Sequence, residues 1–88
     1  MKVYLVHDEC YDHKENIYNS YLFGIYSSMD LAVSARSDFI SAELENCSEL
    51  CYEAELGIDE DNNPTIKKFD DAELIETCTY TIEEWTVQ

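Results

Sequence analysis

Between Tyr21 and Leu44 the chain reads YLFGIYSSMDLAVSARSDFISAEL, and its hydrophobic period changes at Ser27-Ser28. A strand sends successive side chains to opposite faces, whereas a helix gathers every third or fourth residue on one face, so one element cannot satisfy both patterns. A strand must therefore give way to a helix here. Ser27 is placed to cap the helix by accepting a hydrogen bond from the Asp30 backbone N–H, and the Asp30 carboxylate can reach back to Ser27 while facing the positive helix end. Leu31, Ala35, Phe39 and Ala42 follow at spacings of four, four and three, with Ala32, Ile40 and Leu44 widening the stripe. That face is expected to lie on a sheet.

The rest of the chain supplies the strands. Lys2–Asp8 alternates Val3, Leu5 and His7 with Tyr4, Val6 and Asp8, and two partly apolar faces suit a central strand. Glu9–Asn19 is polar and loses the period, which predicts a loop or long hairpin connection. The next strand starts at Tyr18 or Ser20 and ends at Tyr26. It should pair antiparallel with the first, since no crossover helix separates them. Beyond the helix, Leu50, Tyr52, Ala54, Leu56 and Ile58 alternate with Glu49, Cys51, Glu53, Glu55 and Gly57, which predicts a strand with one buried face; a short helix over 48–56 ended by Gly57 competes with it. Asp59–Pro64 has turn composition, Thr65–Phe69 can return as a strand, and Asp70-Asp71 interrupts before a last extended segment, Ala72–Val87. There Leu74, Cys78, Tyr80 and Ile82 should face the core, and Thr77, Thr79 and Thr81 the solvent. Eighty-eight residues can bury only one core, so the expectation is a single α+β domain, residues 1–88. Its antiparallel sheet has four to five strands and one main helix, in the order ββαβββ.

Charge constrains function more than any motif does. The formal net charge is −15, and it is uneven: residues 1–36 carry −2, whereas residues 37–88 hold fifteen acids against Lys67 and Lys68, a net of −13. Such a field repels nucleic acid and anionic membranes and attracts basic protein surfaces. No apolar run approaches the length that spans a bilayer, and none resembles a signal peptide, so a cytoplasmic location is expected. In that compartment Cys10, Cys47, Cys51 and Cys78 are expected as reduced, packed thiols, with a Cys47–Cys51 bridge possible but unneeded.

Val3-Tyr4-Leu5-Val6, then Gly24-Ile25-Tyr26-Ser27-Ser28 with Ala32 in the helix behind it, and a terminal strand such as Glu76–Trp85, together resemble a group of small uncharacterised bacterial and phage proteins. In that group a short first strand leads through a G-x-YSS turn into a helix, and the chain closes on a strand. The resemblance implies a phage or mobile-element origin, and with it the cytoplasm of a bacterial host cell, and carries over no catalytic residue. The segment Glu43–Asp61 departs from the group.

The candidate site is the acidic surface. On a strand, residues i and i+2 lie about 6.6–6.8 Å apart on one face, a spacing similar to that of phosphates along one nucleic-acid strand. Glu49, Glu53 and Glu55 can thus imitate a run of phosphates, extended by Glu43, Glu45, Asp59, Glu60 and Asp61 and by Asp70, Asp71, Glu73 and Glu76. Tyr52 and Trp85 are candidate aromatic anchors among them. The expected function is an acidic nucleic-acid mimic, of the phage anti-CRISPR or anti-restriction type. Its partner would be a basic nucleic-acid-binding protein such as a CRISPR effector or restriction nuclease, with no direct contact to nucleic acid or membrane. The alternative is a small intracellular protein-interaction or accessory domain that does not compete with nucleic acid.

Other chemistry is weaker. Asp59, Asp61, Asn63, Thr65 and Asp70 fall at calcium-loop positions, but Pro64 stands where the loop needs glycine. His7, Cys10 and His13 are evenly spaced yet lack a fourth ligand and a knuckle. Neither a catalytic residue, a metal site nor a cofactor is expected.

Overall fold

The computed structural model describes all residues, Met1–Gln88. The elements run β1 (Lys2–Asp12), β2 (Ile17–Tyr26), α1 (Met29–Glu49), β3 (Glu53–Ile58), β4 (Pro64–Asp70) and β5 (Glu73–Thr86). All five strands form one antiparallel sheet in the spatial order β2-β1-β5-β4-β3, the α+β arrangement the sequence predicts. β1 and β5 are long and central, paired from Lys2↔Thr86 to Asp12↔Glu76. α1 covers one face of the sheet. Ile66, Cys78 and Tyr80 form the core beneath it, packed by Cys10, Phe23, Ile40 and Leu44. Phe23, beside the β1–β2 register shift, stacks on Phe39 of α1 at 4.4 Å between ring centroids. By alternation Thr77, Thr79 and Thr81 lie on the face opposite Cys78 and Tyr80, but each is half-buried and not solvated as expected, and the β4–β5 register shift sets Leu74 opposite Phe69 and so off the expected core face.

Several expectations are corrected. Glu9–Asn19 is not a loop: β1 continues to Asp12, β2 starts at Ile17, and Tyr11 pairs with Tyr18. The connecting turn is held by the Asp12 carboxylate, which accepts from the backbone N–H groups of Lys14 at 2.8 Å and Glu15 at 3.1 Å, and by Asn16 at φ 57. β2 is exposed from Ile17 to Leu22, so the pairing persists there without the buried face that produces an alternating pattern. The helix cap is Ser28, not Ser27, with its Oγ accepting from Leu31 N–H at 3.2 Å.

The buried stripe of α1 is also rotated from the apolar reading. Ala32 and Cys47 are buried, and Ala35, Arg36, Phe39, Ile40, Glu43 and Leu44 are half-buried, while Leu31 and Ala42 face solvent. Arg36 and Glu43 belong to the inner face, so a stripe drawn through apolar residues alone was bound to miss it. The helix then runs on to Glu49. It ends with Tyr52 N–H donating to the Cys47 carbonyl at 2.9 Å and Cys51 N–H to the Ser48 carbonyl at 3.2 Å, a Schellman closure that puts Cys51 at φ 60, where glycine is usual. Residues 53–58 are strand, but the predicted buried face is absent, for every residue of β3 is exposed. Finally, Cys10 and Cys78, directly opposed on β1 and β5, form a disulfide with their Cα atoms 4.1 Å apart, while Cys47 is buried and free and Cys51 is exposed. A bridge across 68 residues restricts the unfolded chain by roughly 4 kcal/mol on the loop-entropy estimate.

Candidate functional site: the acidic edge of the sheet

The sheet order determines where the acids gather. β3 is the outer strand on one side, its only strand neighbour being β4, and α1 delivers its C-terminal end to the start of β3. Glu45 and Glu49 occupy the last turns of α1 and are exposed. Glu53 and Glu55 lie on the strand itself, pointing to the face away from α1 because Glu55 pairs with Lys67 and Lys67 with Thr77. Asp70 ends β4, and with Asp71 and Glu73 it lies at the β4–β5 turn, near the strand end that carries Glu53. Asp59, Glu60 and Asp61 form the β3–β4 turn at the other end. β3 spans roughly 20 Å, so these acids line the edge from one turn to the other.

The β3–β4 turn is fixed by its own carboxylate. Asp59 Oδ1 accepts from the backbone N–H groups of Asn63 at 2.8 Å and Asp61 at 2.9 Å, and Asn62 takes φ 64. These bonds, the Asn63 N–H first, hold the Asp59 carboxyl below its ordinary range. The calcium-loop arrangement is not formed, since Pro64–Asp70 is strand and carries Asp70 to the far end of β4.

Two of the twelve expected site residues are elsewhere. Glu43 and Glu76 sit between α1 and the sheet, where both carboxylates ion-pair with Lys68 Nζ, Glu76 at 2.7 Å. The Lys68 side chain is only 15% exposed. Burial alone would favour the neutral amine, but hydrogen bonds from Nζ to Glu43 and Glu76 outweigh it and raise the pKa. This cluster leaves a negative excess inside. Burial, opposed by the Tyr21 N–H and aided by Glu76 and Glu43, raises the Asp8 carboxyl, and burial together with Glu43 and Asp8 raises the Tyr80 phenol. Burial likewise raises the Cys47 thiol.

The remaining candidates are dispersed. His7 and Cys10 fall on opposite faces of β1; His7 contacts Thr81 Oγ1 at 3.1 Å and Glu83 at 3.5 Å, and His13 contacts Thr77 Oγ1 at 2.9 Å. Cys10, Glu76 and Cys78 bring donor atoms within 4.8 Å of one another, but the two sulfurs are bonded together and Glu76 is engaged by Lys68. Tyr52 is half-buried at the start of β3, and Trp85 is 54% exposed near the end of β5, away from the acidic edge. Sequence reasoning missed the exposed Leu56 and Ile58, because their alternation reads as a buried face and only the position of β3 in the sheet says otherwise.

Neither protein-family profiles, nor characterised proteins, nor solved structures give a match to this chain.

Proposed function

We propose that this protein is a stoichiometric binder that presents the carboxylates of its β3 edge to a basic, nucleic-acid-handling protein and occupies the groove that would hold nucleic acid. The observation that carries the reading is the company Glu53 and Glu55 keep. Glu45, Glu49, the Asp59–Asp61 turn and the Asp70–Glu73 turn flank them, and Lys67 is the one exposed base on β3, β4 and those turns. Binding would release the counterions held by a basic groove, as nucleic acid does. Glu43 and Glu76 are left out of the contact set, being committed to Lys68. An inhibitor of a bacterial defence nuclease, of the anti-CRISPR or anti-restriction type and acting in the host cytoplasm, fits the charge and the resemblance together, while the Cys10–Cys78 bridge runs against the reduced state that compartment favours.

The test is capture of DNA-binding bacterial effectors by the full chain at low and high salt, followed by competition with duplex DNA. Capture that weakens with salt and is displaced by DNA is expected. Reversing Glu53 and Glu55 to lysine should abolish it while the fold persists. Capture that survives the double reversal, or ignores DNA, would favour the accessory-domain reading instead.

A further inference from the structure

β3 has β4 on one side and no strand on the other. Alternate N–H and C=O groups along Glu53–Ile58 therefore point out of the sheet, and none of the turn, cap or side-chain hydrogen bonds of the protein uses a main-chain group of these residues. Proteins normally blunt such an edge with a charge pointing inward, a proline, a bulge or a covering loop. β3 carries its charges only on the face away from α1, as Glu53 and Glu55. The other face presents Ala54, Leu56 and Ile58, with Leu56 56% and Ile58 69% exposed, and Leu50 stands exposed at the helix end that leads into the strand.

We infer that this edge receives an extended segment of the partner as a sixth strand, and that the segment alternates basic with apolar residues. The inference rests on the functional reading above and specifies how the partner is held. Main-chain pairing to Glu53–Ile58 supplies the register, and period-two alternation places basic side chains beside Glu53 and Glu55 on one face and apolar ones beside Leu56 and Ile58 on the other. A second copy of this chain is the wrong occupant. Pairing two β3 edges would set the Glu53 and Glu55 rows against each other between molecules of formal charge −15, and like charges opposed across strands are destabilising. A shallow groove of about 430 Å³, whose lining includes Glu55, Gly57, Lys67 and Thr79, lies along the charged face of the same edge and can admit long basic side chains.

The experiment uses the full chain and two six-residue peptides of one composition, one alternating lysine and valine and the other with the three lysines grouped before the three valines. Amide hydrogen exchange is followed residue by residue. The alternating peptide is expected to bind about tenfold more tightly at ~0.15 M salt, and to slow exchange at alternate β3 amides by about tenfold. Leu56→Lys, a change at an already exposed position, should remove that preference without unfolding the protein. Equal binding of both peptides with β3 exchange unchanged would overturn the inference and leave electrostatic capture standing. Failure of both peptides, together with failure of salt-sensitive capture of any basic effector, would overturn it along with the functional reading. Protection of β3 that rises with protein concentration in the absence of peptide would overturn it in favour of self-pairing.

Discussion

Taking an ammonium out of water is unfavourable unless its partners replace the lost hydration, and Lys68 meets that condition with two carboxylates, one from α1 and one from β5. Lys68→Met would leave Glu43 and Glu76 facing each other without a cation. Because both remain about a third exposed, the loss should be about 2 kcal/mol, less than for a fully buried pair. The raised pKa of Lys68 gives the pH dependence. Its contribution is fully present below the ordinary value of 10.5 and disappears as pH rises through the higher folded value. Denaturant titrations should therefore show the variant's deficit constant from neutral pH to about 10 and shrinking above it. Tyr80 also destabilises the alkaline fold, and because the Lys68 charge holds its phenol down, the variant loses more by this route above pH 10, which offsets part of that shrinkage. A second residue-scale prediction concerns the two-residue β4–β5 turn, where Asp71 takes φ 51 and Ala72 φ 67. An Ala side chain is disfavoured there and glycine is not, so Ala72→Gly should raise stability by about 1 kcal/mol in a chemical melt. A neutral or negative result would mean the turn is not held in the left-handed region.

At the scale of elements, α1 ends in a way that helix physics opposes. Glu45 and Glu49 stand near the negative end of the helix dipole, and the last turn has no base to offset them. Glu49→Lys should stabilise the protein by about 0.5 kcal/mol and weaken capture of a basic partner. Calorimetric melting and the salt-dependent pull-down measure the two halves of that prediction, and a variant that gains stability with unchanged capture would remove Glu49 from the binding edge. The same helix marks how far the sequence could be read. Its start was legible to within one residue, since Ser27 and Ser28 are both good caps and only the fold selects the second. Its end was not, because Cys51 takes the conformation where a reader looks for glycine, and the next glycine, Gly57, lies inside β3. The order of strands was legible from alternation and turn composition. Their exposure was not, because Leu56 and Ile58 alternate on an edge that α1 fails to cover, just as Cys78 and Tyr80 alternate in the core. Of the site, the acidic run was visible, but Glu43 and Glu76 look like the other acids until α1 and β5 bring both onto Lys68.

One helix on a five-stranded sheet makes an elongated molecule, 48 × 24 × 20 Å, with a radius of gyration of 14.0 Å against roughly 12 Å for a compact chain of this length. Only 7 of 88 residues are buried, so little cohesion opposes a formal charge of −15. The two acidic turns lie at opposite ends of the seven-residue β4, roughly 20 Å apart, which exceeds the Debye length of about 10 Å at 0.1 M salt. Repulsion between the turns is thus already screened at moderate salt, whereas repulsion within each turn, and between each turn and Glu53 or Glu55, is not. The melting temperature should rise steeply from about 10 mM to 0.2 M sodium chloride and more slowly up to 1 M, by about 5–10 °C in total, on the scale of 4–8 °C per kcal/mol for a small domain. Tetramethylammonium chloride should give the same rise, because screening needs no coordinated cation. Reversing Glu53 and Glu55 to lysine adds two charges at each position and takes the formal net charge from −15 to −11 at the centre of the edge, so that variant should melt higher in low salt and gain less from added salt. If salt instead leaves the melting temperature flat or lowers it, attraction of the Lys68 kind outweighs repulsion along β3, and the acids of the edge do not form the concentrated field that a cationic partner would grasp.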